Sequence, residues 1–169
     1  MIPPAGEAAG GQPGDRTELG NRLARAIELS AVESETLGEA LALYDLGRVG
    51  VLDAIWEKTG PLSSEERRSV ESHAILGASL LSRHQAAATL VPAILYHHER
   101  FDGTGYPQGL RGEEIPVLAR IIHVVDAYFA MTQPRPYRPA LSLRAATSEL
   151  RRHAGRQFDP DLVRVLVDA

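Results

Sequence analysis

Apolar residues recur at helical spacing along most of the chain, and this periodicity constrains the fold more than any other feature of the sequence. Leu19, Leu23 and Ile27 repeat every four residues, whereas no segment shows a convincing two-residue alternation. Ser63, followed three residues later by Glu66, is typical of a capping box that opens a helix. We therefore predict an all-α bundle of about seven helices.

Individual helices follow from the same signals. One is predicted through ESETLGEALALYDLG, and two successive helices are predicted after Ser63, the second around AILGASLLSRH. Another is expected from Ala86 to about Glu99. Pro116 suits the first turn of the helix VLARIIHVVDAYFAMT, and Ser142 is expected to cap a helix that runs to about His153.

The first 16 residues, MIPPAGEAAGGQPGDR, are rich in Pro, Gly and Ala and carry no periodic apolar face. We interpret residues 1–16 as a disordered tail and residues 17–169 as one domain. A chain of 169 residues is long enough for one substantial core and short for two.

Composition excludes several classes of protein. The formal net charge is -4, which disfavours sequence-independent binding to nucleic acid. No apolar run approaches the roughly 20 residues that span a bilayer, and the N-terminus lacks a signal-peptide pattern. The absence of cysteine excludes disulfides and thiolate metal sites. We expect a cytoplasmic protein with neither nucleic-acid nor membrane partners.

Histidines are the residues best suited to metal chemistry here, and all six lie at or after position 73. His84 and His153 sit among polar neighbours near predicted helix ends, where packing or solvation is the ordinary role. His97 and His98 differ, because adjacent helical residues point about 100° apart and can reach two sides of one cavity.

The string that starts at this pair, HHERFDGTGYP, resembles the signature of the HD-GYP family. Members of that family are bacterial metal-dependent phosphodiesterases that hydrolyse cyclic di-GMP. The resemblance continues downstream through QGLRGEEIPVLARIIHVVDAY, RPYRPAL and GRQFDP, and upstream through LYDLGRVGV, AIWEKTGPLSSEE and SHAILGASLL. It runs from about Leu23 to the C-terminus, and it implies an HD-domain-like helical bundle.

The resemblance also implies a set of metal ligands, of which two are missing. The ligands present are Asp45, His73, His97, His98 and Asp126. Tyr44 stands in place of the histidine of the His-Asp pair, and no histidine occupies the expected position upstream of LARAIELS. The family pattern implies catalytic roles for Asp45 and for Arg48, which replaces a usual lysine, and Phe129 stands where the family has an aspartate.

These losses fall on one side of the implied two-metal site. One ion would keep only Asp45 and Asp126, whereas the other keeps Asp45, His73, His97 and His98. Three imidazoles and a carboxylate can hold one divalent ion such as iron, manganese or zinc, so we expect one metal and not two. The alternative is a hydrogen-bonded polar cluster without metal.

Two other residues could replace missing ligands. His123 lies three residues before Asp126 on nearly the same helix face, and Tyr44 carries a phenol oxygen. The alternative, which we favour, is that Tyr44 fills the volume that a metal would occupy and that His123 packs or forms hydrogen bonds.

The Gly-rich loop and the RPYR segment form a second group of candidate residues. By resemblance, Gly105, Tyr106 and Pro107 shape the substrate pocket, and the loop can contact GGDEF-type cyclases. Arg135 and Arg138 are close enough in sequence to converge on one phosphate. The alternative is a rigid proline-rich corner whose arginines pair with nearby glutamates.

Three hypotheses for function remain open at this point. The first is a catalytically impaired HD-GYP-like module that binds cyclic di-GMP or a signalling partner. The second is an active cyclic di-GMP phosphodiesterase with a reduced metal site. The third is a mononuclear phosphohydrolase with another substrate. The two missing histidines favour the first.

Overall fold

The computed structural model describes residues 15–134 and 139–168. Within these ranges the chain forms eight α-helices and three short 3₁₀ segments, and its nearest approach to a strand is an isolated bridge between Ala154 and Phe158. The all-α prediction is confirmed, with eight helices against about seven expected. The α-helices are α1 (Arg16–Ala26), α2 (Ala31–Leu43), α3 (Asp53–Trp56), α4 (Ser64–Leu81), α5 (Val91–Leu95), α6 (Val117–Thr132), α7 (Leu143–His153) and α8 (Pro160–Asp168).

The first helix begins one residue before the predicted boundary. Asp15 caps it by accepting a hydrogen bond from the backbone N–H of Glu18 at 2.7 Å, so Arg16 is already helical. The rest of the predicted tail lies outside the described residues. Ser30 and Glu33 form a full capping box at the start of α2.

Residues 64–81 form one continuous helix, so the prediction of two successive helices is wrong. The predicted capping box of Ser63 and Glu66 is present at its start. Before it, a 3₁₀ segment (Leu46–Gly50) packs closely on α4 at Gly47. A Cβ on Gly47 would collide with the carbonyl oxygen of His73 and lie 2.5 Å from the backbone nitrogen of Gly77, so only glycine permits this approach.

The helix predicted from Ala86 to Glu99 is also wrong. A 3₁₀ segment (Gln85–Ala87) is followed by the short α5, which ends at Leu95. His97 and His98 therefore lie in a turn after α5 and not on a helix, although they still reach one cavity.

Helix α6 is the central element of the core, and its predicted extent is confirmed. Eight of its residues are buried, and it contacts α1, α2, α5, α7 and α8. An amphipathic helix would bury one stripe, whereas α6 is covered by neighbours on most of its surface. Asp126 is placed on this rigid element. None of the helices described here is long and apolar enough to cross a membrane.

Candidate metal centre and adjoining pocket

Three histidines from two parts of the chain meet in the interior. The potential ligand nitrogens of His73 on α4 and of His97 and His98 after α5 all lie within 4.8 Å of one another. His73 and His97 are almost fully buried, with 1% and 0% of their surface exposed. We predicted from the sequence that these three residues share one site, and in the structure they lie together.

Backbone hydrogen bonds orient two of the imidazoles. Nδ1 of His73 lies 2.6 Å from the carbonyl oxygen of Val70, and Nδ1 of His97 lies 2.7 Å from that of Ile94. A carbonyl only accepts, so each Nδ1 carries the proton and each Nε2 presents a lone pair. This is the arrangement by which proteins orient histidine ligands toward a metal.

The two Nε2 atoms lie 3.3 Å apart, and with both Nδ1 atoms donating to carbonyl oxygens the Nε2 lone pairs face each other. Lone pairs that face each other repel, so a cation between them would stabilise the arrangement. Two nitrogens that bind one ion at about 2.0–2.1 Å are roughly 2.8–3.4 Å apart at bond angles of about 90–110°. Burial lowers the pKa of His97 to about 3 and that of His98 well below its usual value, which keeps both neutral. The donor set therefore fits one divalent metal ion.

Asp45 borders this cluster from the side of the solvent. Its Oδ1 atom lies 3.7 Å from Nε2 of His73, and its side chain is 37% exposed. Oδ2 accepts a hydrogen bond of 3.2 Å from Arg48, whose guanidinium lies 4.3 Å above the ring of Trp56. Asp45 is thus positioned beside the histidines as a fourth candidate ligand, and Arg48 holds its other oxygen.

The carboxylate of Asp126 is hydrogen-bonded to a tyrosine side chain. The Tyr44 hydroxyl donates a hydrogen bond of 2.7 Å to its Oδ1 atom, and the Tyr44 ring packs edge-on against His97 with centroids 5.3 Å apart. Burial, followed by the charge of Asp126, raises the pKa of Tyr44, which disfavours the phenolate that would bind a ferric ion. The Tyr44 side chain thus lies between Asp126 and His97, and its hydroxyl occupies one oxygen of the carboxylate.

His123 uses both ring nitrogens in hydrogen bonds within the protein. Its Nδ1 atom donates to the carbonyl oxygen of His97 at 2.8 Å, and its Nε2 atom accepts from the Gln157 side chain at 3.3 Å. No lone pair is left for a metal. His123 instead supports the turn that carries the paired histidines, in agreement with the interpretation favoured from the sequence.

The other two histidines have ordinary surroundings. His84 is exposed, and His153 lies 3.1 Å from Glu149. Neither belongs to the histidine cluster.

The Gly-rich loop packs directly on the paired histidines. Tyr106 stacks on His98 with centroids 4.9 Å apart, and the following Tyr106–Pro107 peptide bond is cis. A Cβ on Gly105 would lie 2.6 Å from the carbonyl oxygen of His98, so the loop can pass there only with glycine. Burial raises the pKa of Tyr106, whose ring is one wall of the adjoining pocket.

Sequence reasoning missed Glu99, which organises this loop from the inside. Its carboxylate is buried and accepts backbone hydrogen bonds from Gln108 at 2.7 Å and Gly109 at 3.0 Å. Its position directly after the two histidines was the available signal, but the bonds depend on the path of the folded loop. Glu99 therefore fixes the loop that carries Tyr106.

A cavity of about 880 Å³ opens beside the histidine cluster that forms the candidate metal site. Its walls include two of the three histidines, the rings of Trp56 and Tyr106, and the guanidinium groups of Arg16 and Arg48. Four carboxylates also line it, those of Asp45, Asp53, Glu57 and Asp126. This volume falls in the range of pockets for small ligands. Arg135 and Arg138 lie outside the described residues.

Comparison with known proteins agrees with the fold. The family model described as "HD domain" matches residues 7–162, and this chain belongs to the HD domain family. The cyclic di-GMP phosphodiesterase response regulator RpfG of Xanthomonas campestris is 39% identical over 147 residues, which cover 86% of this chain and 39% of RpfG. A cyclic di-GMP phosphodiesterase of Thermotoga maritima is 35% identical, with 86% and 40% covered. A 3'3'-cGAMP-specific phosphodiesterase of Vibrio cholerae is also 35% identical, with 87% and 32% covered.

Two solved structures share the fold. The crystal structure of a cyclic GMP-AMP-specific phosphodiesterase of V. cholerae, V-cGAP3, has a TM-score of 0.69 at 22% identity, covering 90% of this chain and 42% of that chain. Bd1817, an HD-GYP-type protein of Bdellovibrio bacteriovorus, has a TM-score of 0.71 at 21% identity, with 90% and 49% covered. The family predicted from the motifs is thereby confirmed. The chain spans about a third to two fifths of the length of the curated relatives named here.

Proposed function

We propose that this domain binds one divalent transition metal ion and a cyclic dinucleotide, cyclic di-GMP above all, and hydrolyses it very slowly or not at all. The observation that carries the proposal is the hydrogen bond of 2.7 Å from Tyr44 to Asp126. This bond engages the carboxylate that a second metal ion would need. The domain would then act mainly as a binding or regulatory module.

The metal would be held by His73, His97 and His98, with Asp45 as the nearest carboxylate. When bound, such an ion polarises phosphate oxygens and lowers the pKa of water. Iron, manganese and zinc all suit imidazole and carboxylate ligands. The facing lone pairs of His73 and His97 support a cation at this position.

A second ion has little to bind. Two side chains near Asp126 replace the expected ligands. One is Tyr44, whose hydroxyl donates a hydrogen bond to the carboxylate, and the other is Phe129, whose ring has no ligand atom. Replacing an imidazole by a phenol of raised pKa removes a neutral nitrogen ligand and adds a donor that competes for the carboxylate. Two-metal phosphodiesterases stabilise both the attacking and the leaving oxygen with separate ions, so losing one should impair hydrolysis strongly.

The ligand assignment rests on the pocket and on the relatives. Tyr106 presents an aromatic wall of the kind on which bases stack, and Arg48 supplies a guanidinium at the same cavity. The named relatives act on cyclic di-GMP or cGAMP, both cyclic dinucleotides. We assign phosphate contacts also to Arg135 and Arg138, and a contact with a GGDEF-type signalling protein to the outer face of the Gly-rich loop.

Two other functions have a specific observation in their favour. Asp45, Arg48 and the histidine cluster remain together at one cavity, which is what an active phosphodiesterase with a reduced metal site would need. Asp45 and Arg48 would then be its catalytic residues. The same constellation would serve a mononuclear phosphohydrolase of another substrate.

One experiment separates these functions. Protein purified without chelator is analysed for metal, titrated with cyclic di-GMP by calorimetry, and incubated with the same nucleotide while the linear product is measured by chromatography. The proposal expects about one metal per chain, binding, and little product. Robust turnover would establish the active phosphodiesterase, and absence of binding would remove the cyclic dinucleotide.

A further inference from the structure

Arg16 reaches into the pocket from the first turn of α1. Its guanidinium carbon lies 5.1 Å from the centre of the Phe129 ring, and Nη2 lies 3.8 Å from Oδ1 of Asp126. The side chain is 33% exposed and lines the same cavity as Arg48, Tyr106 and the histidines. Helix α1 therefore places the positive charge of Arg16 beside Asp126.

The donors of Arg16 are largely unused within the described part of the chain. Its Nε atom is buried and has no hydrogen-bond partner there. The separation of 3.8 Å from Asp126 is an ion pair and too long for a hydrogen bond. A guanidinium has five N–H donors, and the Arg16 side chain lines the cavity with 33% of its surface exposed, so its outer N–H groups can donate to an anion that enters.

Tyr44 explains why Arg16 is left available. The Tyr44 hydroxyl already donates the short hydrogen bond to Asp126, so this carboxylate does not draw Arg16 into a forked pair. Phe129, which occupies the position of a family aspartate, provides the ring beneath the guanidinium. This cation–π contact holds the guanidinium in place without using the N–H donors of Arg16.

The opposite side of the cavity repeats this arrangement. Arg48 pairs with Asp45 and lies over Trp56, as Arg16 lies near Asp126 and over Phe129. Four carboxylates line the cavity, those of Asp45, Asp53, Glu57 and Asp126, so a phosphate that enters is repelled unless cations offset their charge. The two arginines supply part of this positive charge, one on each side of the cavity, and a metal ion at the histidine cluster would add to it.

We propose that Arg16 is an anion-binding residue that contacts a phosphate oxygen of the ligand and takes over the charge of the second metal ion that this site does not fit. This proposal rests on the proposed function for the identity of the ligand, but the anion site itself does not depend on it. The chemical class recognised is a phosphate monoanion or phosphodiester.

The test uses the full chain loaded with its metal, in three variants. Arg16→Met removes the charge and keeps a long side chain over Phe129, Arg16→Lys keeps the charge and loses the planar fork, and Arg25→Met is the control. Arg25 is an exposed arginine on the same helix that lines a different cavity. Affinities for cyclic di-GMP and for inorganic phosphate are measured by calorimetry, and metal content by elemental analysis.

Arg16→Met is expected to weaken binding of both probes roughly 10- to 100-fold, the loss typical of a hydrogen bond to a charged group. Arg16→Lys should retain part of the affinity, and Arg25→Met all of it. Metal content should stay unchanged in every variant, because Arg16 is not one of the candidate ligands. Unchanged affinity in Arg16→Met would make the residue structural, and increased affinity would show that its guanidinium blocks the pocket; either result overturns the proposal.

The two probes separate this proposal from the proposed function. If the parent protein binds phosphate through Arg16 but not cyclic di-GMP, the nucleotide assignment fails and the anion site stands. If it binds neither probe, Arg16 is not an anion-binding residue.

Discussion

The hydroxyl of Tyr44 and the carboxylate of Asp126 are joined by a hydrogen bond of 2.7 Å across 82 positions of sequence. The bond ties the end of α2 to the central helix α6 next to the histidine cluster. The resemblance to the HD-GYP motif implies a histidine ligand at position 44. The tyrosine found there instead makes a hydrogen bond that links two helices.

Tyr44→Phe is expected to lower the free energy of unfolding by about 1–3 kcal/mol, because a charged, partly buried acceptor loses its donor. Chemical denaturation followed by circular dichroism measures this change. Tyr96→Phe is the matched control, since no hydrogen bond of the Tyr96 hydroxyl occurs among the described residues. Equal stability of the two variants would mean that Arg16 or solvent replaces the tyrosine without cost.

Gly47→Ala should destabilise the domain by about 1–3 kcal/mol, the usual penalty for overpacking. The added methyl group would collide with the backbone of α4 at His73 and displace the 3₁₀ segment that carries Arg48. Metal affinity should fall as well, because Asp45 directly precedes that segment.

Gly38→Ala is the control, and it is expected to stabilise the domain where Gly47→Ala destabilises it. A Cβ on Gly38, inside α2, would meet no atom within 4 Å, so the domain should gain up to about 1 kcal/mol from higher helix propensity. The same measurement serves both variants. A stable Gly47→Ala protein with unchanged metal affinity would contradict the close contact between the 3₁₀ segment and α4.

Glu99→Ala should loosen the Gly-rich loop while leaving the core intact. Two backbone amides, of Gln108 and Gly109, lose their acceptor, so their hydrogen exchange should accelerate roughly 10- to 100-fold. Affinity for cyclic di-GMP should fall with it, because the loop carries Tyr106. Glu113→Ala, at an exposed position further along the same connection, should leave the exchange of these amides unchanged.

The elements that the sequence predicted well are those with redundant signals. Helix α6 has a nearly continuous apolar run with Pro116 before it, and the start of α4, though not its length, is marked by a complete capping box. The region before His97 failed because an apolar run cannot by itself distinguish a long helix from short helical pieces. Pro92 was the overlooked signal, since its missing N–H suits only the first turn of a helix, where it lies in α5.

The candidate site was predictable only where a motif named the residue. The three histidines came from the HD-GYP resemblance, and they converge as expected. Arg16 was assigned to the flexible tail, because no local pattern links it to Asp126. Glu99 was missed for the same reason: its role follows from long-range backbone contacts and not from its neighbours in sequence.

Metal analysis of variants tests the histidine cluster directly. His73→Gln and His97→Gln should each reduce the metal content from about one per chain to near zero, because each removes one of three imidazoles that supply most of the affinity. The exposed His84 gives the control His84→Gln, which should keep its metal. Circular dichroism of each variant checks that loss of metal does not reflect loss of fold. Metal retained in both cluster variants would place the ion elsewhere.

Tyr44→His tests whether the second metal position can be restored by one substitution. The new imidazole would release Asp126, but the first-helix histidine of the family would still be absent, so two carboxylates and one nitrogen would hold the ion weakly. We therefore expect Tyr44→His to keep about one tightly bound metal and to show no gain in cyclic di-GMP hydrolysis. Elemental analysis and product chromatography measure the two quantities on the same sample. A second stoichiometric metal together with robust turnover in Tyr44→His would show that Tyr44 alone blocks catalysis, and that Arg16 yields to an ion when the hydroxyl is gone.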